Sequence, residues 1–129
     1  MCKQIVHSKD CLKKINEEIN KLILNGYVPH DIGIAMNPVK CVITEPSSHG
    51  MQMLKERGIG FEDVQNYINY AVIMFEQEGD QDDILFLYLS FDGGCVLVSA
   101  SGKIVTAYSK DNFKPHIKEI LKVVSIYGQ

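Results

Sequence analysis

Four strand-like segments separated by tight connections occupy residues 72–108, and they constrain the fold more than any other feature of the chain. β-branched and aromatic residues are concentrated in 72–77, 84–90, 95–100 and 103–108. The connections between these segments are too short for a helical crossover, so neighbouring strands must run antiparallel. The sequence therefore predicts a four-stranded antiparallel meander.

The last hairpin of the meander also predicts its own register. If Ser101-Gly102 is a two-residue turn, Val98 pairs with Val105 and Cys95 pairs with Tyr108. The core face then carries Val96, Val98, Val105 and Ala107. The opposite face carries Ser99, Thr106 and Tyr108 among apolar neighbours. That mixture is typical of a sheet face that forms the floor of a polar cleft.

Hydrophobic periodicity predicts helices before and after the strands in the sequence. Residues 8–25 place their apolar side chains on one face, with Ser8 as the N-cap and Gly26 at the end. A second helix begins near Phe61, and residues 39–44 favour one short strand in an otherwise irregular segment. The expected fold class is α+β, with N-terminal helices packed on the four-stranded antiparallel meander and a C-terminal helix.

The C-terminal helix is predicted from about residue 113 to residue 127, with Asp111 or Asn112 as its cap. His116 falls in its first turn and is interpreted as a surface residue, because polar side chains are mostly exposed. His30-Asp31 lies in the irregular segment, where it indicates a solvated turn rather than a catalytic pair.

Size and composition narrow the class of protein. A chain of 129 residues that is 46% hydrophobic forms one domain over 1–129, with a helical part over 1–45 and the remaining elements in 46–129. No segment is long and apolar enough to span a membrane. The net charge of -3 argues against a broad nucleic-acid binder but permits a local basic cleft. The four scattered cysteines indicate the reduced thiols of a cytosolic protein rather than a metal site, and no cofactor is expected.

A short helix after Pro46 brings residues of chemical interest together. Ser47 or Ser48 is a natural N-cap, and His49 lies in the first turn, where free amides and the helix dipole favour a phosphate. Arg57 ends the helix about 12 Å from His49 along its axis, at about 1.5 Å per residue. The two side chains are therefore expected to border one cleft without touching.

Three motifs in a fixed order carry a resemblance to a known family. They are His49 eight residues ahead of Arg57-Gly58-Ile59, then Glu62-Asp63-Val64, then Gly-Lys-Ile-Val-Thr-Ala-Tyr at residues 102–108. Over roughly residues 46–113 the chain resembles small bacterial ribonuclease toxins of the barnase, EndoU, colicin and RelE-like fold. That family includes the C-terminal domains of polymorphic and contact-dependent inhibition toxins.

The resemblance implies a metal-independent RNA endonuclease toxin that acts on transfer RNA by attack of the 2′-OH on the phosphate. His49, Thr106 and Tyr108 are the expected catalytic residues. The expected substrate-binding residues are Ser48, Arg57, Ser99 and Lys103. The resemblance also implies a cognate immunity protein as partner. It places the activity in the bacterial cytoplasm, either directly or after delivery within a larger secreted toxin.

A binding protein is the alternative that the residues leave open. An acidic cytosolic immunity protein or antitoxin would neutralise a basic nuclease, and the net charge of -3 with Asp80, Asp82 and Asp83 in one loop favours it. A third alternative is a catalytically inactive relative kept as an interaction module. For Arg57, an ion pair with Glu56 or Glu62, or a capping role at the C-terminal end of its helix, is at least as consistent with the sequence as a substrate contact. The sequence leaves the oligomeric state open.

Overall fold

Four helices and six strands are found in the part of the chain that the computed structural model describes, which is residues 6–39, 45–46, 48–78, 84–91 and 93–128. The side chains of residues 45, 46, 48–50 and 112 lie outside that description. The elements are α1 Lys9–Leu24, β1 Ile34–Met36, β2 Glu45–Pro46, α2 Ser48–Arg57, α3 Phe61–Asn69, β3 Ile73–Glu78, β4 Ile84–Leu89, β5 Gly94–Ser99, β6 Lys103–Ser109 and α4 Pro115–Tyr127.

The strands form one sheet in the order β1-β3-β4-β5-β6-β2. The predicted meander from β3 to β6 and the predicted α+β class are confirmed, but β1 extends the antiparallel part to five strands. The two-residue β2 adds a parallel pairing at one edge. β1 was not predicted, because Gly33 and Pro38 flank it and are typical of an irregular segment. Of the strand predicted over 39–44, residues 40–44 lie outside the description, and Val39 is not in a strand.

Helices cover both faces of the sheet, so the molecule has two hydrophobic cores. On one face α1 and α4 pack against buried side chains of the strands, among them the fully buried Phe75 and Leu89. On the other face α2 and α3 pack around Val64, Tyr88 and Val96. Burial of each such side chain stabilises the fold by about 1.5–3 kcal/mol. The fold therefore has a central sheet that contacts helices on each side.

The hairpin of β5 and β6 keeps only part of the predicted register. Cys95 pairs with Tyr108, Val96 with Ala107 and Leu97 with Thr106, as predicted. Val98 instead pairs with Ile104, because the loop has three residues and a β-bulge follows it. Gly102, with φ 92°, supplies the left-handed conformation that such a loop requires, and its N–H donates to the Ser99 carbonyl at 2.9 Å. Ile104 thus takes the buried place predicted for Val105.

A side chain of α1 covers the outer edge of β1. The Asn16 side-chain oxygen accepts a hydrogen bond from the Ala35 N–H at 2.9 Å, and its Nδ2 donates to the Ala35 carbonyl at 3.1 Å. The amide therefore pairs with Ala35 as another strand would. Because unpaired strand edges are sites of aggregation, this pairing protects the edge as well as fixing α1 on the sheet.

The helix ends follow from local chemistry. Ser8 caps α1 as predicted, and its hydroxyl accepts a hydrogen bond from the Cys11 N–H at 3.1 Å. The prediction of Asp111 or Asn112 as the cap of α4 is wrong, because both lie in a 3-10 turn and Lys114 is the N-cap. A proline disfavours the helical conformation in the residue that precedes it, so α4 begins at Pro115. In the described part of the chain, no helix has both the length and the hydrophobicity to cross a bilayer.

Substitution of Gly33 tests the contact between the loop before β1 and β3. A Cβ there would overlap the Glu76 carbonyl, and the residue has φ +95°. We expect Gly33→Ala to lower the free energy of unfolding by about 3 kcal/mol or more, from overlap and left-handed strain together. Gly26→Ala is the control, because its φ is +80° but no atom lies within 4 Å of the new Cβ. It should lose only about 1 kcal/mol. Equal losses in urea unfolding would contradict the contact.

Candidate functional site

A cleft of about 210 Å³ lies between the sheet and the start of α4, and we call it the β6 cleft. Its polar and charged lining consists of Asp31, Gln77, Thr106, Tyr108, Lys114 and His116. Its apolar wall is formed by Pro29, Ile32, Leu87, Cys95, Leu97 and Ile117. The predicted polar face of the last hairpin therefore borders a real cavity.

Arg57 reaches this cleft from α2, which packs on the opposite face of the sheet. Its Nη1 donates hydrogen bonds of 2.8 Å to both the Thr106 hydroxyl and the Ala107 carbonyl. Its Cζ lies 4.0 Å from the centre of the Tyr108 ring, in a cation–π contact. The path is open because β2 pairs only with Lys103 and Ile104, so Arg57 passes the outer edge of β6 beyond them.

The structure thus brings together Arg57, Thr106 and Tyr108, three of the residues predicted from the sequence. The ion pair considered for Arg57 with Glu56 or Glu62 does not form, as no described carboxylate pairs with it. A guanidinium held by two hydrogen bonds and one aromatic ring has a fixed orientation. Such an orientation is what bidentate recognition of a phosphate requires.

Two other predicted residues, Ser99 and Lys103, lie away from the cleft at the turn between β5 and β6. The Ser99 hydroxyl lies 2.8 Å from the Ser101 hydroxyl and accepts a hydrogen bond from the Lys103 N–H at 3.1 Å. The Lys103 side chain is exposed. Thr106 and Tyr108 lie farther along β6, so Ser99 holds the turn and does not join them.

The backbone of His49 lies in the first turn of α2, at the opposite end of that helix from Arg57. The side chains of Ser48 and His49 are outside the described part of the chain. Their expected roles in proton transfer and phosphate binding therefore stay predictions.

His116 and Lys114 line the cleft but were not predicted as site residues from the sequence. The interpretation of His116 as a surface residue is wrong, because the side chain is half-buried and faces the cavity. One sequence feature could have found it, since His116 precedes the fully buried Ile120 by four residues and so shares its side of α4. The exposed Lys114 has no comparable feature. Asp31 lines the cleft, whereas the neighbouring His30 is exposed.

The surroundings of His116 favour its neutral form. Burial lowers the pKa of this imidazole, and the nearby Lys114 ammonium lowers it further, while Asp31 acts in the opposite direction. The net shift is downward from the ordinary histidine pKa of about 6.5. A neutral imidazole at pH 7 is able to accept a proton, so His116 has the ionisation state of a general base.

Cys95 is the thiol in the cleft wall, but its chemistry is suppressed. Burial raises the pKa of Cys95 to about 12, although Tyr108, Arg57 and Lys114 each act to lower it. The thiolate is the nucleophilic form of cysteine, and at neutral pH it is almost absent here. Cys95 therefore belongs to the wall and not to the reactive groups.

A larger cavity of about 510 Å³ lies elsewhere, beside α3 and the turn between β4 and β5. Its lining consists of Asp63, Asn66, Tyr67, Tyr70, Val72, Ser90, Phe91 and Gly93. None of these residues is basic and none is a histidine. The smaller β6 cleft therefore has the richer chemistry. In the described residues, no group of three or more His, Cys, Asp or Glu side chains is placed to hold a metal ion.

Comparison with family models, with curated proteins and with solved structures finds no match for this chain.

A double-mutant cycle tests the bond between Arg57 and Thr106. We expect Arg57→Met to lower the free energy of unfolding by about 2 kcal/mol and Thr106→Val by about 1 kcal/mol, because charged donors make strong hydrogen bonds. The two losses should couple by about 1 kcal/mol, since each variant removes the same bond. Lys13→Gln on the exposed side of α1 is the distant control and should add to Arg57→Met without coupling. Additivity within about 0.5 kcal/mol for the first pair would contradict the bond.

Titration of His116 by NMR tests the electrostatics of the cleft. We expect a pKa below about 6.5 in the native chain, a higher pKa in Lys114→Gln and a lower one in Asp31→Asn. Removing the Lys114 cation makes protonation of His116 easier, and removing the Asp31 anion makes it harder. The unfolded chain binds a proton at His116 more readily than the native chain does. The free energy of unfolding should therefore fall as the pH is lowered from about 6.5 through the native pKa. Shifts in the reverse directions would contradict this arrangement.

Proposed function

We propose that this protein is a metal-independent RNA endonuclease whose active site is the β6 cleft. One observation carries the proposal: Arg57 is fixed by Thr106 and Tyr108 at the edge of a cleft that also contains His116 and Lys114. Cations with fixed donors bind a phosphate, and a neutral imidazole beside them moves a proton. The resemblance of residues 46–113 to ribonuclease toxins is consistent with this chemistry.

Arg57 and Thr106 are proposed to bind the scissile phosphate. Both described hydrogen bonds of the guanidinium use Nη1, and the N–H groups of Nη2 and Nε make none to described residues. They are therefore available to the phosphate oxygens. Lys114 adds a second cation at the same cleft. As charge accumulates on the oxygens in the transition state, these donors stabilise it without reorganising.

Tyr108 is better suited to positioning cations than to stacking on a base. Arg57 lies 4.0 Å from the ring centre, and the Lys114 Nζ lies 5.7 Å from it. Two cations at one ring leave little of its surface for a nucleobase. Tyr108 is therefore a positioning residue that holds Arg57 and Lys114 at the cleft.

The reaction needs one base and one acid. His116 takes the proton of the 2′-OH, the 2′-oxygen attacks phosphorus, and the bond to the 5′-oxygen breaks. The products are a 2′,3′-cyclic phosphate and a 5′-oxygen that must gain a proton. Water at the open cleft can supply that proton, and His49, which the resemblance names as catalytic, is the acid only if its side chain reaches the cleft from the far end of α2. Each step is then balanced without a metal ion.

We also propose the biological roles that the resemblance implies. Transfer RNA is the expected substrate, a cognate immunity protein the expected partner, and the bacterial cytoplasm the site of action. The alternative of an acidic immunity protein rests on the net charge and on Asp80, Asp82 and Asp83, which lie outside the described residues. The cations around the β6 cleft favour an anionic ligand over a basic partner.

Cleavage of total bacterial RNA with EDTA present tests the proposal. The native chain should give discrete fragments on a denaturing gel. His116→Ala and His49→Ala should each lower the rate at least about 100-fold if each histidine carries one proton step. His30→Ala is the matched control, because this histidine is exposed and lies outside the cleft. It should cleave as the native chain does.

Other outcomes would decide against parts of the proposal. Intact RNA with the folded native chain would overturn the enzyme and favour the binding-protein alternative. Cleavage that stops with EDTA would overturn metal independence. Cleavage by a folded His116→Ala variant at the native rate would exclude His116 as the base, and the same result for His49→Ala would exclude His49.

A further inference from the structure

A row of lysines runs along α4 and the turn before it. Lys110, Lys114, Lys118 and Lys122 recur at intervals of four residues, and all four side chains are exposed. Within α4, residues four apart lie on one side of the helix. From Lys114 to Lys122 the row is about 12 Å long, at about 1.5 Å per residue. We call these four residues the lysine row.

An open groove of about 410 Å³ lies beside the row, and we call it the lysine groove. Its lining consists of Phe91, Lys110, Asp111, Phe113, Lys118, Leu121, Lys122 and Ser125. Phe91 is exposed, with 38% of its surface accessible, and Phe113 is half-buried. Aromatic rings between lysines are what proteins use to bind a single strand, because bases stack on the rings while cations contact the phosphates.

Charged residues are unevenly distributed along the chain, and lysines prevail in the part that contains the lysine row. After residue 102 there are five lysines and two acidic residues, whereas the whole chain has 13 basic and 16 acidic residues. The two acids are Asp111, which lines the groove, and Glu119, which lies 3.3 Å from the Lys122 Nζ. Exposed ion pairs of this kind are weak, so Lys122 stays available to a phosphate.

The lysine row joins the groove to the β6 cleft. Lys114 lines the cleft beside Tyr108, while Lys110 and Lys118 on either side of it in sequence line the groove. A chain of phosphates that follows the row therefore leads from the groove to Arg57 and His116. The larger cavity beside α3 shares Phe91 with the groove, but its lining has no basic residue that could continue the row of phosphate contacts.

We propose that the lysine groove binds a single strand of RNA, with phosphates on the lysine row and bases on Phe91 and Phe113, and that it leads this strand into the β6 cleft. The inference rests on the proposed function for what happens in the cleft. Binding itself is separate from cleavage and is tested separately. A folded duplex would not offer bases to Phe91 and Phe113, so the site selects unpaired RNA.

Binding is measured with a probe that cannot be cut. The probe is a fluorescent single-stranded 2′-O-methyl oligoribonucleotide about 15 nucleotides long, which lacks the attacking hydroxyl, and fluorescence anisotropy gives its Kd. In about 0.1 M salt we expect Lys118→Gln with Lys122→Gln to raise Kd roughly 25-fold, because each phosphate contact contributes a salt exponent of about 0.7. The slope of log Kd against log salt should fall by about 1.4.

Two further variants separate the groove from charge in general. Lys9→Gln with Lys13→Gln removes the same charge from exposed lysines four residues apart on α1, and should leave Kd within about twofold. Phe91→Ala should raise Kd about fivefold or more through lost stacking. If the two pairs of lysine substitutions raised Kd equally, the proposal that the lysine groove binds RNA would be overturned.

The outcomes also distinguish this inference from the proposed function. If RNA is cleaved but the Lys118 and Lys122 variant binds as the native chain does, the groove is overturned and the enzyme stands. If no RNA is cleaved but binding depends on Lys118, Lys122 and Phe91, the groove stands without the enzyme. If polyglutamate competes as well as unlabelled RNA and Phe91→Ala has no effect, the row is an acidic-protein surface and the RNA proposal is overturned.

Discussion

Side chains from helices complete both edges of the central sheet, and much of the structure depends on this constraint. At one edge the Asn16 amide pairs with the N–H and carbonyl of Ala35. At the other, Arg57 donates to the Ala107 carbonyl beyond the end of β2. Open edges invite pairing with other chains, and buried backbone groups need partners. Each contact therefore closes an edge and at the same time fixes a helix on the sheet.

The contact at the second edge has a consequence for the site. To reach Ala107, Arg57 must extend from α2 past β6, and this path brings its guanidinium to Thr106 and Tyr108 on the face that α4 covers. One side chain thus links α2 to the face of the sheet that α4 covers, and it lies at the edge of the β6 cleft. Stability and binding are coupled here, because any ligand that competes for the guanidinium also acts on the closure of the sheet edge.

The sequence predicted what local chemistry decides and missed what contacts between layers decide. Ser8 and the apolar stripe of α1 predicted that helix closely, and tight turns predicted the meander. The bulge before Thr106 was missed because a two-residue and a three-residue loop both accommodate Ser101-Gly102, and only the packed strands select between them. Likewise the contact of Arg57 with Tyr108 joins residues far apart in sequence, and no periodicity predicts it. Thr106 and Tyr108 were predicted from the alternation of residues along the strand. His116 could not be placed in the cleft without knowing which side of α4 faces the sheet.

Net charge is a poor guide to the local charge at the β6 cleft. The value of -3 favoured an acidic binding protein at first, but it sums charges that are too far apart to act together. At physiological salt, exposed charges are screened beyond about 8 Å. A ligand at the β6 cleft therefore senses Arg57, Lys114 and Asp31, and the distant carboxylates of the chain contribute little. Because the acidic residues lie mostly before residue 102 and lysines prevail after it, the same chain presents an acidic total and a basic site.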